Sequence, residues 1–438
     1  MLHRTVTQGR RRATVAIIVA VLLTGLLGIV ALALDCGIIQ DSKRRVQATA
    51  DAAALAAASQ LFSSYPSITT NTPDPGGNAK TSALDYASQN GFANNGTTST
   101  VTVNIPPASG PFKDKLGYAE VYVTYNQPRY FSTIWGSATV PVTARAVAMG
   151  KWAGTGNGVI VLDPSVAYAL DANGSGSVTL TGGAAMIVNS DNNQAARTSG
   201  GGSLTAANFR ITGTNPGDVG SGFNGSIVTG VLPTPDPLAY LPVPAVPPNG
   251  TMSQKALGQG NHQYTLSPGR YSNLPNFNAG DVVSFQQASA NSNGGIFYID
   301  GGGFTSTGAT ITMDPLTTGG VMIYNNPSNN SNSQGINISG NATGVVNLSP
   351  LTSGPYAGIL FWQNRTAAQT LGISGNGSFT LQGTVYAANA QLSVTGNGLA
   401  VIGSQYISRT LALGGGGTTT INYSETATAR LRQVRLVE

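Results

Sequence analysis

Charged side chains and metal-binding residues are scarce in this chain, and their scarcity excludes several classes of protein. Only 9% of the 438 residues are Asp, Glu, Lys or Arg, and there are one cysteine and two histidines. The single cysteine, Cys36, cannot form an internal disulfide. His3 and His262 supply too few ligands for a zinc or haem site, so we expect no cofactor and no metal.

Acidic residues are missing from a long later stretch of the chain. No Asp or Glu occurs from Val321 through Ser424. Carbohydrate lyases and hydrolases need clustered carboxylates, so a catalytic pair would have to come from earlier aspartates. These are Asp163, Asp171, Asp191, Asp218, Asp236, Asp281, Asp300 and Asp314. Asp300 and Asp314 each end an apolar run and are typical of turn residues, and we expect no catalytic residue and no enzyme.

Positive charge gathers at the two ends of the chain and forms no continuous patch between them. The clusters are Arg4, Arg10, Arg11 and Arg12 near the start and Arg430, Arg432 and Arg435 near the end. A basic groove along a domain is the usual mark of nucleic-acid binding, and this sequence has none. We expect a basic C-terminal tail over residues 426–438 and no nucleic-acid partner.

What the chain does contain is a long apolar run near its N-terminus. Residues 13–34 carry no charge and, at ~1.5 Å per residue, form roughly 33 Å of helix, which matches the hydrocarbon core of a bilayer. Four arginines precede this transmembrane helix and Asp35 follows it, which places residues 1–12 in the cytoplasm and the bulk outside. A cleaved secretory signal is the alternative, although Ala31-Leu-Ala33 is a poor cleavage site.

A second helical pattern follows the apolar run directly. It contains Asp35-Cys-Gly37, then Gln47, then the alanine-rich segment 50–55, and no proline occurs before Pro66. One continuous helix of about fifty residues is therefore predicted. Over roughly residues 10–62, these features resemble the N-terminal segment of Tad (Flp) pilus-assembly proteins of the TadG-like kind. The resemblance implies a bacterial inner-membrane protein whose partners are the lipid bilayer and pilus or secretion-machinery components.

Small residues recur along this helix at four-residue spacing. Ala48, Ala52 and Ala56 would let another helix approach closely, or would pack the helix on its own domain. We expect both interpretations to use the same helix face. The residues assigned to the family motif and to helix packing are Asp35, Gly37, Gln47, Ala48, Asp51, Ala52, Ala53, Leu55 and Ala56.

Residues 35–150 read as an α+β segment like that of a pilin. A proline-rich hinge at 63–77 precedes a short helix, Asn78 to Asn90. Alternating apolar residues then predict three strands of a small antiparallel sheet. They are Thr100–Ile105, Ala119–Tyr125 and Val140–Ala148. Phe131-Ser-Thr-Ile-Trp-Gly136 also resembles a short pattern in Tad pseudopilin-like segments.

From residue 151 to 425 the chain predicts an all-β domain of short strands separated by Gly, Asn and Ser. The runs are 177–180, 185–188, 295–299, 309–313, 320–324, 335–338, 357–361, 378–381, 383–386, 391–394 and 399–402. Turns of the type Ile338-Ser-Gly-Asn341 recur at Ile373 and Val394. Stacked coils with Gly at their corners explain this pattern, so we predict a right-handed parallel β-helix, with a β-sandwich or jelly roll as the alternative.

Three further features of the β domain were assigned. Residues 232–249 hold seven prolines and predict an extended strap. The string Val159–Ser165 resembles the metal-ion-dependent adhesion site of von Willebrand A domains, but Ala167 replaces the second serine, which favours Asp163 as a corner residue. Tyr324, Phe361, Trp362 and Tyr386 are candidate polysaccharide contacts, or else they fill the core.

The sequence therefore predicts a single-pass membrane protein that presents a β-helix outside the cytoplasm, as a structural or adhesive component of pilus assembly. A membrane-tethered polysaccharide-binding module and a carbohydrate-active enzyme are the alternatives.

Overall fold

A computed structural model of the protein describes residues 9–131, 133, 138–214, 222–286, 295–314, 319–329, 331–341, 344–376, 378–396 and 400–438. The chain forms two compact units. The first, which we call the anchor unit, comprises Met1–Trp152 and Arg432–Glu438, and the second, the β unit, comprises Ala153–Leu431. The β unit is therefore an insertion between two segments of the anchor unit.

Two α-helices and 29 strands are described. The helices are α1 Gly9–Ser64 and α2 Asn78–Gln89. The strands are β1 Ser99–Asn104, β2 Tyr118–Pro128, β3 Thr139–Ala153, β4 Asn157–Val161, β5 Leu170–Asn173, β6 Ser177–Thr181, β7 Ala185–Val188, β8 Ala196–Ser199, β9 Ser203–Ile211, β10 Phe223–Thr229, β11 Met252–Gly258, β12 Asn261–Leu266, β13 Gly269–Tyr271, β14 Phe277–Asn278, β15 Val282–Phe285, β16 Ile296–Asp300, β17 Phe304–Thr307, β18 Thr310–Met313, β19 Met322–Asn326, β20 Ile336–Gly340, β21 Val345–Leu348, β22 Ile359–Gln363, β23 Leu371–Gly375, β24 Ser378–Leu381, β25 Thr384–Gly396, β26 Ala400–Ile402, β27 Gln405–Gly414, β28 Thr418–Asn422 and β29 Leu431–Leu436.

The helices of the anchor unit follow from local sequence. Helix α1 meets no proline until Pro66 and continues unbroken through the apolar run. The Asp74 carboxylate accepts hydrogen bonds from the amides of Ala79 and Lys80, at 3.0 and 2.9 Å, and so satisfies free donors at the start of α2. Helix α2 ends one residue before the predicted Asn90, and Gly91 there has a left-handed φ of 90°.

One face of α1 packs against α2 and the small sheet. Its buried residues are Val46, Ala50, Ala53, Ala54, Ala57, Ala58 and Leu61, and Ala79, Ala83 and Ala87 of α2 join the same core. Small side chains allow close approach, and at Gly150 of β3 the strand lies against the helix backbone itself. A Cβ at Gly150 would collide with the carbonyl of Ala58, so only glycine fits there.

The small sheet has four strands in the order β1-β2-β3-β29, with β1–β2 and β2–β3 antiparallel. The three predicted strands are confirmed, but the fourth was assigned to a basic tail at 426–438. The amide of Val147 donates to the carbonyl of Glu438 at 2.9 Å, and the amide of Val437 donates to the carbonyl of Val147 at 2.8 Å. The run 431–436 is short and charged, and its apolar and polar residues do not alternate. It therefore could not be recognised as a strand before its pairing with β3 was known. The Phe131–Gly136 pattern lies mostly outside the described residues.

The β unit is a stack of parallel strands in three columns. Strands β12, β15, β18, β21 and β24 pair successively in one column, β13, β16, β19, β22 and β25 in a second, and β14, β17, β20, β23 and the end of β25 in a third. Strand β11 pairs antiparallel with β12. Every predicted apolar run overlaps one of the described strands. Parallel pairing differs from the antiparallel strands of a sandwich or jelly roll.

The order of strands in the stack differs from their order in the chain. The last strands of the β unit, β27 and β28, pair with its first strands, β4, β5 and β6. Examples of paired residues are Tyr406–Val159 and Thr418–Ser177. Strands β7 to β10 extend the stack further. Strands β10 and β11 therefore lie at opposite ends of the stack, and residues 232–249, which we call the strap, belong to the segment that connects them.

A column of glycines marks one corner of the stack. Its members come from six successive coils and are Gly340, Gly375, Gly396, Gly415, Gly174 and Gly202. At Gly375, φ is +113° and a Cβ would collide with the carbonyl oxygen of Gly340. The predicted Ser-Gly-Asn turns at Ile338 and Ile373 supply two of these glycines, and Gly396 belongs to the third turn, whose Asn397 lies outside the described residues. Gly182, in the turn that follows β6, is not part of this column, and a Cβ there would collide with the carbonyl oxygen of Tyr423.

Candidate functional site

The apolar part of α1 has the properties of a membrane span. An 18-residue window within the helix is strongly apolar and is not covered by any other part of the described structure. Large apolar side chains between Val15 and Leu34 are 45–70% exposed. Such a surface is unstable in water and suits a hydrocarbon environment. This one long apolar helix fits a single-pass membrane anchor with the rest of the chain outside the bilayer.

Asp35 binds the loop between β2 and β3 to the end of the apolar run. Its carboxylate is only 4% exposed and accepts hydrogen bonds from the amides of Tyr130, at 3.3 Å, and Phe131, at 3.2 and 3.3 Å. These bonds compensate the burial of a charge. Cys36 and Gly37 are exposed, and nothing lies within 4 Å of a Cβ placed on Gly37.

Gln47 and Asp51 join α1 to the small sheet. The Gln47 side-chain amide donates to the Asp51 carboxylate at 2.8 Å and to the backbone carbonyl of Arg145 in β3 at 3.1 Å. The two residues lie one helical turn apart, so their side chains meet on one face. This part of the predicted motif therefore positions β3 against the helix.

The alanine row and the packed face of α1 are different surfaces. Ala48 is exposed and Ala52 and Ala56 are partly exposed, whereas Ala53 is fully buried and Leu55 is partly buried against the core. Ala48, Ala52 and Ala56 therefore do not lie on the face that packs within the anchor unit, and their use in bundling with another helix stays a prediction. At 100° per residue, the row lies about half a turn from the packed face.

A buried ionic cluster ties three strands of the anchor unit together. Glu120 in β2 is fully buried and accepts hydrogen bonds from Asn104 (2.8 Å), Ser109 (2.5 Å), the Ala108 amide (3.0 Å) and Arg145 (2.7 Å). Arg145 also pairs with Glu438. Burial alone would raise the pKa of Glu120, but these hydrogen bonds outweigh it and lower the pKa to about 2 from its ordinary 4.5.

The four candidate polysaccharide contacts are buried in the β unit. Tyr324, Phe361, Trp362 and Tyr386 each have 0% exposed surface. Phe361 belongs to the interior core, and the other three form an aromatic row on a separate core cluster that includes Leu238 and Leu241 of the strap. A buried ring offers no face to a sugar, so their assignment as surface contacts is corrected in favour of core packing.

Arg365 clamps the strap over this aromatic row. Its guanidinium donates to the carbonyls of Leu241 and Leu238, at 3.0 and 2.6 Å, and to the Tyr386 hydroxyl at 2.7 Å. That hydroxyl in turn donates to the Asp236 carboxylate at 2.6 Å. The strap is further held along the stack through Asn189–Thr234, Tyr356–Pro242 and Tyr240–Arg430. The proline-rich segment is thus an ordered cover.

Several aspartates of the β unit are engaged in structural contacts. Asp163 accepts from the amides of Ser165 (3.0 Å) and Val166 (2.8 Å), which confirms it as a corner residue, and from Arg409 at 2.8 Å. Burial opposes ionisation, yet these bonds lower the pKa of Asp163 below its ordinary value. Other aspartate contacts are Asp171–Arg197, Asp300–Arg270 and Asp281–His262. Within the described ranges, no group of three or more His, Cys, Asp or Glu could hold a metal.

The importance of two arginines was missed from the sequence, although a signal was present. Arg365 and Arg409 are the only charged residues from Val321 through Ser424. An isolated charge in so long a neutral stretch needs a partner from elsewhere. Each arginine binds a segment distant in sequence, namely the strap and the corner at Asp163.

Comparison with known proteins identifies the first part of the chain. Residues 13–60 match the model of the family described as putative Flp pilus-assembly TadE/G-like. This is the segment whose residues resembled TadG-like proteins, so that recognition is confirmed there. No curated protein matches the chain, and no solved structure matches it. The family match lies entirely within α1, and the β unit is described from its own structure.

Proposed function

We propose that the protein is a membrane-anchored structural component of Tad/Flp pilus assembly, or a minor pilin-like protein of that system. The observation that carries this proposal is the family match over residues 13–60. The matched helix combines an apolar span with the Gln47–Asp51 contact to the small sheet. A long helix packed on a small antiparallel sheet is also the pilin-like plan predicted from the sequence.

We infer that the N-terminus lies in the cytoplasm and that both folded units lie outside the inner membrane. The arginines before the span and Asp35 after it support this orientation, because basic residues favour the cytoplasmic side. The family match supports a pilus-related place in a bacterial envelope. Partners would then be the lipid bilayer and components of the pilus machinery.

The β unit is proposed to be a right-handed parallel β-helix that the anchor presents at the envelope in adhesion or envelope structure. Parallel pairing between successive coils in three columns supports a β-helix, and right-handed crossovers are the rule for parallel strands. The engaged aspartates support a role without catalysis. A polysaccharide-binding module has less support, since its four candidate rings are buried.

Co-purification from gently solubilised bacterial membranes, with an antibody to the β unit, tests the proposed role. We expect full-length protein to recover pilin and secretion-machinery components. A variant carrying Ala48→Leu, Ala52→Leu and Ala56→Leu alters the surface of α1 that the small sheet leaves open and should lower recovery about tenfold, equivalent to about 1.4 kcal/mol. Gln89→Leu, at an exposed site on α2, is the control. Intact protein that recovers envelope polysaccharide and no pilus component would contradict the proposal.

A further inference from the structure

Residues 129–131, which follow β2 and which we call the loop from here on, are held at the level where the membrane span ends. Asp35 is the first charged residue after the uncharged run 13–34, and it accepts the amides of Tyr130 and Phe131. A second contact lies two helical turns further on, where the Ser42 hydroxyl donates to the side-chain carbonyl of Gln127. Both Ser42 and Gln127 are buried. The loop therefore cannot move along the helix without breaking buried hydrogen bonds.

The depth of this loop follows from the length of the span. Twenty-two uncharged residues give roughly 33 Å of helix, against a hydrocarbon core of about 30 Å. Asp35 then falls at the boundary between hydrocarbon and lipid headgroups, a zone about 5–7 Å thick on each side. The backbone of Tyr130 and Phe131 lies within hydrogen-bond distance of this boundary residue.

The two side chains at this depth are aromatic and point away from the protein core. Tyr130 is 62% exposed and Phe131 is 51% exposed. Among the other aromatic residues of the anchor unit whose side chains the structure describes, Phe92 and Tyr118 are buried, most are partly buried and Tyr86 is 48% exposed; Phe92 contacts Tyr125 edge to face. Exposed aromatic rings are costly in water, whereas the membrane interface is the environment in which Tyr and Trp are enriched.

Basic residues surround the same end of the helix. Lys43, Arg44 and Arg45 are exposed about 12–15 Å beyond Asp35, and Arg129 is partly exposed beside Tyr130. Asp41 is the opposing exposed charge in this part of α1, because the Asp35 carboxylate is buried against the loop amides. Positive charge within a Debye length of a surface is attracted to anionic headgroups.

From these observations we infer that residues 129–131 form a second membrane contact, in which Tyr130 and Phe131 insert among the lipid headgroups and the neighbouring basic residues bind anionic lipid. This inference rests on the proposed membrane anchoring. Two contacts, the span and the loop, hold the anchor unit more firmly than a single helix. Together they oppose rotation of α1 about its own axis and tilting of α1 away from the membrane normal.

Spin labels on the full-length protein in vesicles of phosphatidylcholine and phosphatidylglycerol measure the depth of each site. In a Cys36→Ser background, Leu22→Cys reports the span, Phe131→Cys reports the loop and Ser88→Cys, exposed on α2, reports water. Accessibility to oxygen relative to a water-soluble nickel complex rises with depth. We expect the ratio at position 22 to be highest, that at position 131 to be several-fold above position 88, and that at position 88 to match bulk solvent.

The outcomes separate the loop contact from the anchoring on which it rests. A deep label at position 22 with an aqueous label at position 131 would overturn the second contact and leave the anchor intact. An aqueous label at position 22 would refute both. A label on the native Cys36 adds a test without a cysteine substitution: Tyr130→Ser with Phe131→Ser should make it more accessible to nickel, whereas Tyr86→Ser, which removes an exposed ring on α2, should not.

Discussion

Glu120 shows how one buried carboxylate can be held ionised in the anchor unit. Hydrogen bonds from Asn104, Ser109, the Ala108 amide and Arg145, the last of which is also an ion pair, compensate its complete burial. The sequence offered no sign of this role, since Glu120 occupies a polar-looking position within the alternating run of β2. Its partners come from three separate segments, which only the folded sheet brings together.

Acidification should therefore weaken the anchor unit through Glu120. The folded-state pKa of about 2 lies below the ordinary 4.5, so this stabilisation is complete above about pH 4.5 and is lost as the pH falls towards 2. Glu120→Gln should lower the free energy of unfolding by on the order of 3 kcal/mol at pH 7, and the difference from wild type should shrink below pH 4.5.

Hydrogen exchange of the β2 amides, corrected for the intrinsic effect of pH, measures this difference in the full-length protein. Glu425→Gln, at an exposed site, is the matched control and should change nothing at either pH. A Glu120→Gln difference that stays constant between pH 7 and pH 3 would show that the stabilisation does not come from ionisation.

At the scale of elements, the glycine column explains why the coils can stack closely at one corner. From Gly375 onward, each glycine leaves room for the carbonyl of the coil beside it, and Gly375, Gly415 and Gly174 also have positive φ values. The column continues from the last coils of the chain to its first coils, because β27 and β5 are neighbours. A local turn motif thus serves a contact between coils.

Gly375→Ala should destabilise the β unit by roughly 2–4 kcal/mol, since it adds both backbone strain and a collision with Gly340. Gly201→Ala is the matched control. Gly201 also has a positive φ, +85°, but nothing lies within 4 Å of its Cβ position, so only the strain of about 1 kcal/mol applies. Urea unfolding followed by circular dichroism measures both. Equal effects of the two substitutions would contradict the collision.

Individual strands were predictable because their cause is local. Short runs of apolar and β-branched residues between Gly and Asn turns form strands wherever they are placed, and Ala185–Val188 matched its strand without error. The predicted runs left out many strands, among them β10 and β11, whose residues are mostly exposed and show no buried face. The aromatic row was ambiguous for another reason: the strap residues that cover it, Leu238 and Leu241, lie more than 80 residues before Tyr324.

At the scale of the whole molecule, the β unit is inserted into the anchor unit between β3 and β29. Val434 packs against the core of the small sheet, and Val437 packs beside Tyr118 and Met149. Glu438 supplies the second acidic partner of Arg145. The last residues of the chain are therefore a structural part of the unit that contains α1.

Truncation after Leu431, the last residue of the β unit, should open the anchor unit and leave the β unit folded, because Ala429, which donates to Thr384 in the β unit at 2.7 Å, is retained. Limited proteolysis of the full-length and truncated proteins measures this difference. We expect faster cleavage between residues 90 and 150 of the truncated protein and an unchanged resistant fragment from the β unit. Parallel loss of both units would show instead that they unfold as one.

The overall topology could not be read from the sequence, because it depends on pairings between distant segments. A periodic pattern predicts that coils stack, but it does not say which coil is first. Here β4 follows β27 in the stack, and β29 pairs with β3 although the whole β unit separates them in the sequence. No local pattern encodes either pairing, whereas the membrane span and the family segment are local and were both recognised.

The late position of β29 also imposes an order on biosynthesis. A chain is made from its N-terminus, so α1 and strands β1 to β3 leave the ribosome long before the strand that completes their sheet. Until then the free edge of β3 can pair with another chain. The anchor unit is thus begun first and completed last. A factor that shields the edge of β3 during export would bind only nascent molecules.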